Sequence, residues 1–257
     1  MNNLTQAVWV ELLKARRSKM PLFTALGFAL APLALGFFMI ILKDPELARR
    51  AGLITVKAQI TMGTADWPTY LEFLAQATAM GGIILFGLIG IWVFGREYSD
   101  HTIQDLLALP TSRSAIVLAK FVVIAIWSAL LTAMICLVGF GVGVEVALPQ
   151  IPMQVILQGG ATLAIAACLS IALVPPIAFF ASAGHGYLPQ IGIVILVVFL
   201  AQVITVTGRG EYFPWAIPAL YTQGENLGTV SYLIVILTAV AGIAGTFAWW
   251  ELADKTH

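Results

Sequence analysis

The sequence predicts an all-α membrane protein. It has six transmembrane helices, an N-terminal amphipathic helix lying in the membrane interface, and one short cytoplasmic helix between spans. Three observations predict this. The chain has 257 residues, 60% hydrophobic and 10% charged, with a mean hydropathy of +0.95. An average soluble domain is roughly 45–50% apolar and about 25% charged, so polar surface is too scarce here to cover a water-soluble globule. Six long apolar runs follow one another, at roughly 21–42, 76–95, 116–144, 155–180, 187–206 and 229–250. Most reach the ~20 residues that a spanning helix needs. No stretch alternates apolar and polar residues as the ~10-residue strands of a membrane barrel do. Helices are then the form in which a lipid-exposed backbone satisfies its own hydrogen bonds.

The length fits one domain, 1–257. Thirteen basic and 13 acidic residues cancel, so no global field draws nucleic acid. Cys136 and Cys168 both lie inside apolar runs, which argues against a disulfide framework or a zinc site.

Residues 1–20 form the predicted interfacial helix. Val8, Trp9, Leu12 and Leu13 recur at helical spacing beside Glu11, Lys14, Arg16, Arg17 and Lys19, with Trp9 at headgroup depth. A frayed basic tail is the plainer alternative. The first run reads as a retained span: it exceeds a signal-peptide core, and Lys43-Asp44-Pro45 follows without a small-residue cleavage site. Lysines and arginines orient the rest. An inside N-terminus puts Lys14, Arg16, Arg17, Lys19, Arg96, Arg113, Lys120 and Lys255 in the cytoplasm and Lys43, Arg49, Arg50, Lys57 and Arg209 outside. Six spans bring both termini to the cytoplasm. Residues 43–75 and 207–228 are then outer loops, and 96–115 a cytoplasmic one. Pro214, Trp215, Pro218 and Tyr221 suggest that the second outer loop is partly re-entrant; an ordinary aromatic belt explains them nearly as well.

The central parts of the runs carry no Asp, Glu, Lys, Arg or His; Lys120 and Glu145 sit only at the ends of the third. Proton- and ion-coupled transporters usually carry such groups at membrane depth, so a secondary transporter is disfavoured, though backbone carbonyls can still bind sodium. There is no HExxH and no pair of intramembrane aspartates. His101, His185 and His257 are far apart, and Ser170 and Ser182 have no evident base. No GxxxxGK[ST] occurs. The reading is a non-enzyme with no catalytic or metal residues, no bound cofactor, and no ATP hydrolysis of its own.

Smaller features have packing readings. Gly139 and Gly143 form a GxxxG that packs within the subunit, the preferred reading, or across a dimer. Gly81, Gly82, Gly87 and Gly90 thin the second span. Glu72, Gln76 and Thr78 at its outer end either line a pathway or simply pack. Pro175-Pro176 should kink the fourth span.

The loop at 96–115 is more informative. Ser99, Asp100 or Thr102 can cap a helix start. Ile103, Leu106 and Leu107 then share one face by i, i+3, i+4 spacing, with Asp105 on an acidic edge. Pro110 ends the helix, and Thr111 or Ser112 caps the third span. The product is a short rigid helix with an apolar face open to a partner. A solvated inter-helix turn, with Arg96 marking the membrane boundary, is the alternative.

Gly95-Arg96-Glu97-Tyr98-Ser99-Asp100, followed by Thr102-Ile103, Leu106-Leu107-Ala108-Leu109-Pro110, Ser112-Arg113 and Ala119-Lys120, resembles the second cytoplasmic connection of ABC type-2 transporter permeases. The likeness is greatest to the bacterial subgroup of bacitracin and lantibiotic-type exporters. Glu11-Leu12-Leu13-Lys14 through Arg16-Arg17-Ser18-Lys19, and the stretches Lys43-Asp44-Pro45-Glu46 and Ala65-Asp66-Trp67-Pro68-Thr69-Tyr70, are similar to that subgroup as well. The likeness is strong over 1–125; beyond that it rests on span count and the aromatic loop. It implies a six-helix subunit of the bacterial plasma membrane that pairs with a second permease copy, identical or homologous. It also implies a separate cytoplasmic ATPase, which holds the ATP and magnesium. Residues matching 100–109 would be the coupling helix, so Asp100, Ile103, Asp105, Leu106 and Leu107 would contact the ATPase, with Arg96 and Glu97 anchoring the loop. Charge-free spans suit amphipathic or hydrophobic cargo, such as peptide antibiotics. The competing readings are a non-transport anchor or sensor that recruits a cytoplasmic partner, and a secondary transporter.

Overall fold

The structure is a computed structural model, and it describes residues 3–44, 64–100, 102, 111–149, 152–184 and 187–252. The described residues are mostly helical, without a strand. An N-terminal helix, α1 (Asn3–Arg17), is followed by α2 (Met20–Lys43), α3 (Trp67–Ser99), α4 (Arg113–Glu145), α5 (Met153–Ala172), α6 (Val174–Ala183) and α7 (Leu188–Val206). Two short 3-10 turns, Gly210–Tyr212 and Pro214–Ala216, lead into α8 (Ile217–Thr222), and α9 (Thr229–Leu252) closes the chain. Taking α5 and α6 as one, six helices are long and apolar enough to cross a membrane. The protein is a multi-pass membrane protein.

The spans differ from the apolar runs chiefly in length. At 33 residues each, α3 and α4 are ~50 Å long, against a hydrocarbon core of about 30 Å. The start of α3 lies inside the expected 43–75 loop. Asp66 caps it, its side chain accepting from Thr69 N at 2.9 Å, and Pro68 fits the first turn. Trp67, Tyr70, Leu71 and Leu74 are buried there although Glu72 and Gln76 dilute the hydropathy. The other end runs through Arg96 and Glu97 to Ser99. As expected, Ser112 caps α4, its Oγ accepting from Ala115 N at 3.4 Å. At the end of α4, Ala147 adopts a positive φ of 53°, and Lys43 Nζ donates to the Val146 and Ala147 carbonyls, at 2.6 Å each. This ties the end of α2 to the end of α4 and satisfies carbonyls that a finishing helix leaves free.

The central helix is α3: 61% of its most apolar window is buried, against 22% for α2 and α9 and 17% for α7. Lipid does not drive helices together by hydrophobicity, so small residues and close backbone approach do much of the packing. Gly139 and Gly143 seat against α3 within the subunit. A Cβ on Gly143 would stand 2.5 Å from the Trp67 ring, and one on Gly139 would strike the Leu74 side chain. Tyr70 Oη reaches the Gly139 carbonyl at 3.0 Å. Glycines 82, 87 and 90 receive Ser170, Ile177 and Val194, and Val174 respectively; Gly81 meets nothing.

Pro175-Pro176 breaks the fourth span, as its missing amide hydrogens require. The break falls at Leu173, between α5 and α6. There Gly242 of α9 rests on the freed backbone, so close that a Cβ would lie 2.6 Å from the Pro175 carbonyl carbon. Residues 207–228 fold back on the bundle instead of trailing from it. Ala216, Ile217, Pro218, Leu220 and Thr222 are buried, beside α3, α5 and α7.

Candidate coupling site

At one end of the bundle α1 packs across α4, beside the end of α3 and near Trp250 of α9. On α1, Glu11 and Ala15 turn inward while Trp9 and Val10 remain exposed. The helix therefore presents a charge to the protein and an aromatic ring outward.

Glu11 joins a set of four charges, of which Glu11, Glu97 and Lys120 are buried and Lys14 is partly exposed. Lys120, seven residues into α4, is wholly buried. Its Nζ donates to Glu97 Oε1 at 2.8 Å, to the Val93 carbonyl at 2.8 Å and to Glu11 Oε2 at 3.3 Å, which accounts for all three ammonium hydrogens. Lys14 Nζ donates to Glu11 Oε1 at 2.7 Å and to Glu97 Oε1 at 3.0 Å. Two ammonium groups and two carboxylates leave no net charge, which is what permits burial. Burial pushes the Lys14 ammonium down, but the Glu11 and Glu97 carboxylates outweigh it and hold its pKa above the ordinary 10.5. The Phe94 and Trp250 rings stand 5.8 and 6.0 Å from Lys120 Nζ. Trp250 Nε1 donates to Ser182 Oγ at 3.1 Å, and Arg113 Nη1 reaches the Trp250 carbonyl at 3.4 Å. One polar cluster therefore links α1, α3, α4, α6 and α9.

Arg96 and Glu97, paired in the sequence reading, separate. Neighbours on a helix point about 100° apart, so Glu97 faces inward with Oε2 unpartnered among the described residues. Arg96 lies outside, 5.2 Å over the Trp92 ring, with Nε 3.1 Å from Asp100 Oδ2. Asp100 closes α3. A cavity of about 330 Å³ opens beside these groups, lined by Val10, Leu13, Lys14, Arg17, Ser18 and Arg96. Ile103, Asp105, Leu106 and Leu107, like the three histidines, fall outside the described residues. Sequence reasoning missed Glu11, Lys14 and Lys120 as members of the site. A lysine inside an apolar span was the signal, since such a charge must find a partner.

At the opposite end, Gln76 Nε2 donates to Glu72 Oε1 at 3.3 Å. Glu72 lines a cavity between α3, α5 and α8, whereas Thr78 is fully buried, its hydroxyl donating to the Leu74 carbonyl at 2.8 Å. Ser170 and Ser182 are likewise engaged, with the Ala79 and Ala166 carbonyls and with the Ala178 carbonyl respectively.

The sequence profile of the ABC-2 family transporter proteins matches residues 7–202. That match takes in the whole four-charge set and runs well past the region in which the sequence resemblance was strong. A bacitracin transport permease protein, BCRB, of Bacillus licheniformis is 27% identical over 212 residues, covering 81% of this chain and 99% of that protein. With six apolar helices and a match spanning most of the chain, this protein belongs to the ABC-2 family of transporter proteins.

Proposed function

We propose that this chain is the permease subunit of an ATP-driven exporter. It pairs with a second permease copy, receives a separate cytoplasmic ATPase through residues 96–115, and moves amphipathic or hydrophobic cargo such as peptide antibiotics across the plasma membrane. ATP and magnesium belong to the partner. The α1 end, with both termini, faces the cytoplasm. The bacitracin transport permease among its relatives supports the cargo class.

The observation that carries the coupling is Glu97. It stands at the root of the 96–115 loop, 3% exposed, and receives Lys120 and Lys14 on one oxygen. An ATPase pushing the loop moves α3 only if the loop's base is stiff. The charge set supplies that stiffness, because pulling Glu97 from Lys120 strands charges in a low-dielectric site. The push is then shared by α1, α3 and α4. Arg96, on its outer face with Asp100, and the apolar face at Ile103, Leu106 and Leu107 are the contact for the partner.

The test is co-reconstitution of permease and ATPase in liposomes, with and without a collapsed proton gradient. Transport should require ATP and survive the uncoupler. Transport that persists without ATP and stops with the uncoupler would overturn the proposal in favour of a secondary transporter. ATPase binding with no transport of any cargo would favour the anchor or sensor reading.

A further inference from the structure

Glu72 stands in the second turn of α3. It is exposed on a span, one turn from Gln76, and among the described residues its side chain has one hydrogen bond, from Gln76, and no ion pair. The cavity it lines, about 350 Å³, is walled also by Gln158 and Thr162 of α5 and by Thr222 and Gln223 at the end of α8. Both threonine hydroxyls have already committed their hydrogens, Thr162 Oγ1 to the Gln158 carbonyl at 3.1 Å and Thr222 Oγ1 to the Ala219 carbonyl at 2.7 Å. What they offer a visitor is lone pairs, as does the carboxylate. No lysine or arginine lines this wall among the described residues. The site is negative and offers carboxylate, hydroxyl and amide oxygens, beside the amide N–H groups of Gln158 and Gln223.

Its surroundings are graded. Glu72, Gln76, Met80 and Ile84 recur every fourth residue along α3, a row that winds about 40° round the helix at each step; Glu72, Met80 and Ile84 are exposed. Ile84 lies ~18 Å further along the helix than Glu72. The row runs from a charge near the end of the span to apolar side chains towards its middle. An amphiphile with a cationic head at the membrane boundary and an apolar body at depth has the same profile.

We propose that this cavity binds the primary ammonium group of an amphipathic cation, with Glu72 as counter-charge and the Gln158, Gln223 and Thr162 oxygens as acceptors. The role of this site as a cargo contact rests on the exporter reading; the binding itself does not. Amphipathic amines are then the cargo class that the permease favours. The same chemistry is carried by an aminated lipid headgroup.

The test uses the full chain, purified in non-ionic detergent, and two fluorescent probes: dansylcadaverine, which carries a primary amine, and dansylamide, which does not. Wild type should bind dansylcadaverine saturably and dansylamide at least tenfold more weakly, a ratio about that of one charge-assisted hydrogen bond. The isosteric Glu72→Gln should weaken dansylcadaverine by about tenfold or more, and Glu72→Asp should retain part of the binding. Glu225→Gln, at an exposed carboxylate outside this wall, should leave it unchanged. Competition by added phosphatidylethanolamine assigns the ammonium to a lipid headgroup; lack of competition assigns it to a cargo amine. Equal binding by Glu72→Gln and wild type, at the same elution volume, would overturn the proposal. No ATPase is in the assay, so its failure leaves the exporter reading standing. Failure of ATP-driven transport would leave a positive result here as a binding site without a cargo role.

Discussion

Replacing Lys120 with methionine tests the buried charge set directly. The side chain keeps its approximate length and loses three hydrogen bonds, at 2.8, 2.8 and 3.3 Å. Two carboxylates, Glu11 and Glu97, then share the single ammonium of Lys14, whose side chain is 28% exposed against 7% and 4% for theirs. A net negative charge is left buried. Removing one partner of a buried pair costs about 3–5 kcal/mol, which for a chain of this size is a fall in unfolding midpoint on the order of 10 °C. The double variant Lys120→Met with Glu97→Leu removes one charge of each sign and keeps the Glu11–Lys14 pair. Because replacing a buried pair with apolar groups is often neutral, the double variant should unfold near wild type. Thermal unfolding in detergent, followed by helical circular dichroism, measures all three proteins. If Lys120→Met unfolds within a degree or two of wild type, or the double variant is as weak as the single one, the charges are not coupled as described.

Four further outcomes are expected. Leu106→Asp should abolish pull-down of the ATPase while the chain still inserts, since a charge on an apolar contact face costs roughly 2 kcal/mol or more without a counter-ion. Reporter fusions after residues 60, 105 and 257 should give outside, inside and inside. Gly242→Ala should destabilise more than Gly139→Ala, by about 1–3 kcal/mol, because its Cβ meets the Pro175 and Pro176 backbone whereas that of Gly139 meets a leucine side chain able to turn away; detergent melting curves compare the two. The Lys14 pKa is raised in the fold, so its stabilisation is complete below the ordinary lysine value of 10.5 and is lost as pH rises through the folded value. Unfolding midpoints should therefore fall at strongly alkaline pH, and Lys14→Met should remove that component.

The six spans were legible because membrane helices announce themselves by local composition, as was the break at Pro175-Pro176. The ends of α3 were not. Glu72, Gln76, Arg96 and Glu97 each lower the local hydropathy, and what makes the buried Glu97 tolerable lies elsewhere in the chain: Lys120 is 23 positions beyond Glu97 and 109 beyond Glu11. Periodicity carries no information about such distant compensation. Arg96 and Glu97 were singled out together, but adjacency in sequence hid the fact that Glu97 lies inside the protein and Arg96 outside. The packing of Gly139 and Gly143 on Trp67 and Leu74 could be read as a motif, whereas its partner helix came only from the fold. The walls that α5 and α8 contribute around Glu72 had no local signature at all.

The buried ammonium of Lys120 also constrains the order of assembly. A lone lysine at the centre of a span costs roughly 2.5–3.5 kcal/mol to insert, and some of that penalty falls on one this far inside α4. Its two side-chain acceptors are made at different times. Glu97 belongs to the span immediately before, so α3 and α4 can enter as a hairpin with Lys120 already matched. Glu11 is made first, yet has no ammonium of that hairpin to meet until α4 exists. The N-terminal helix can therefore take its place on α4 only once the hairpin it clamps has been made, although it precedes both helices in the chain.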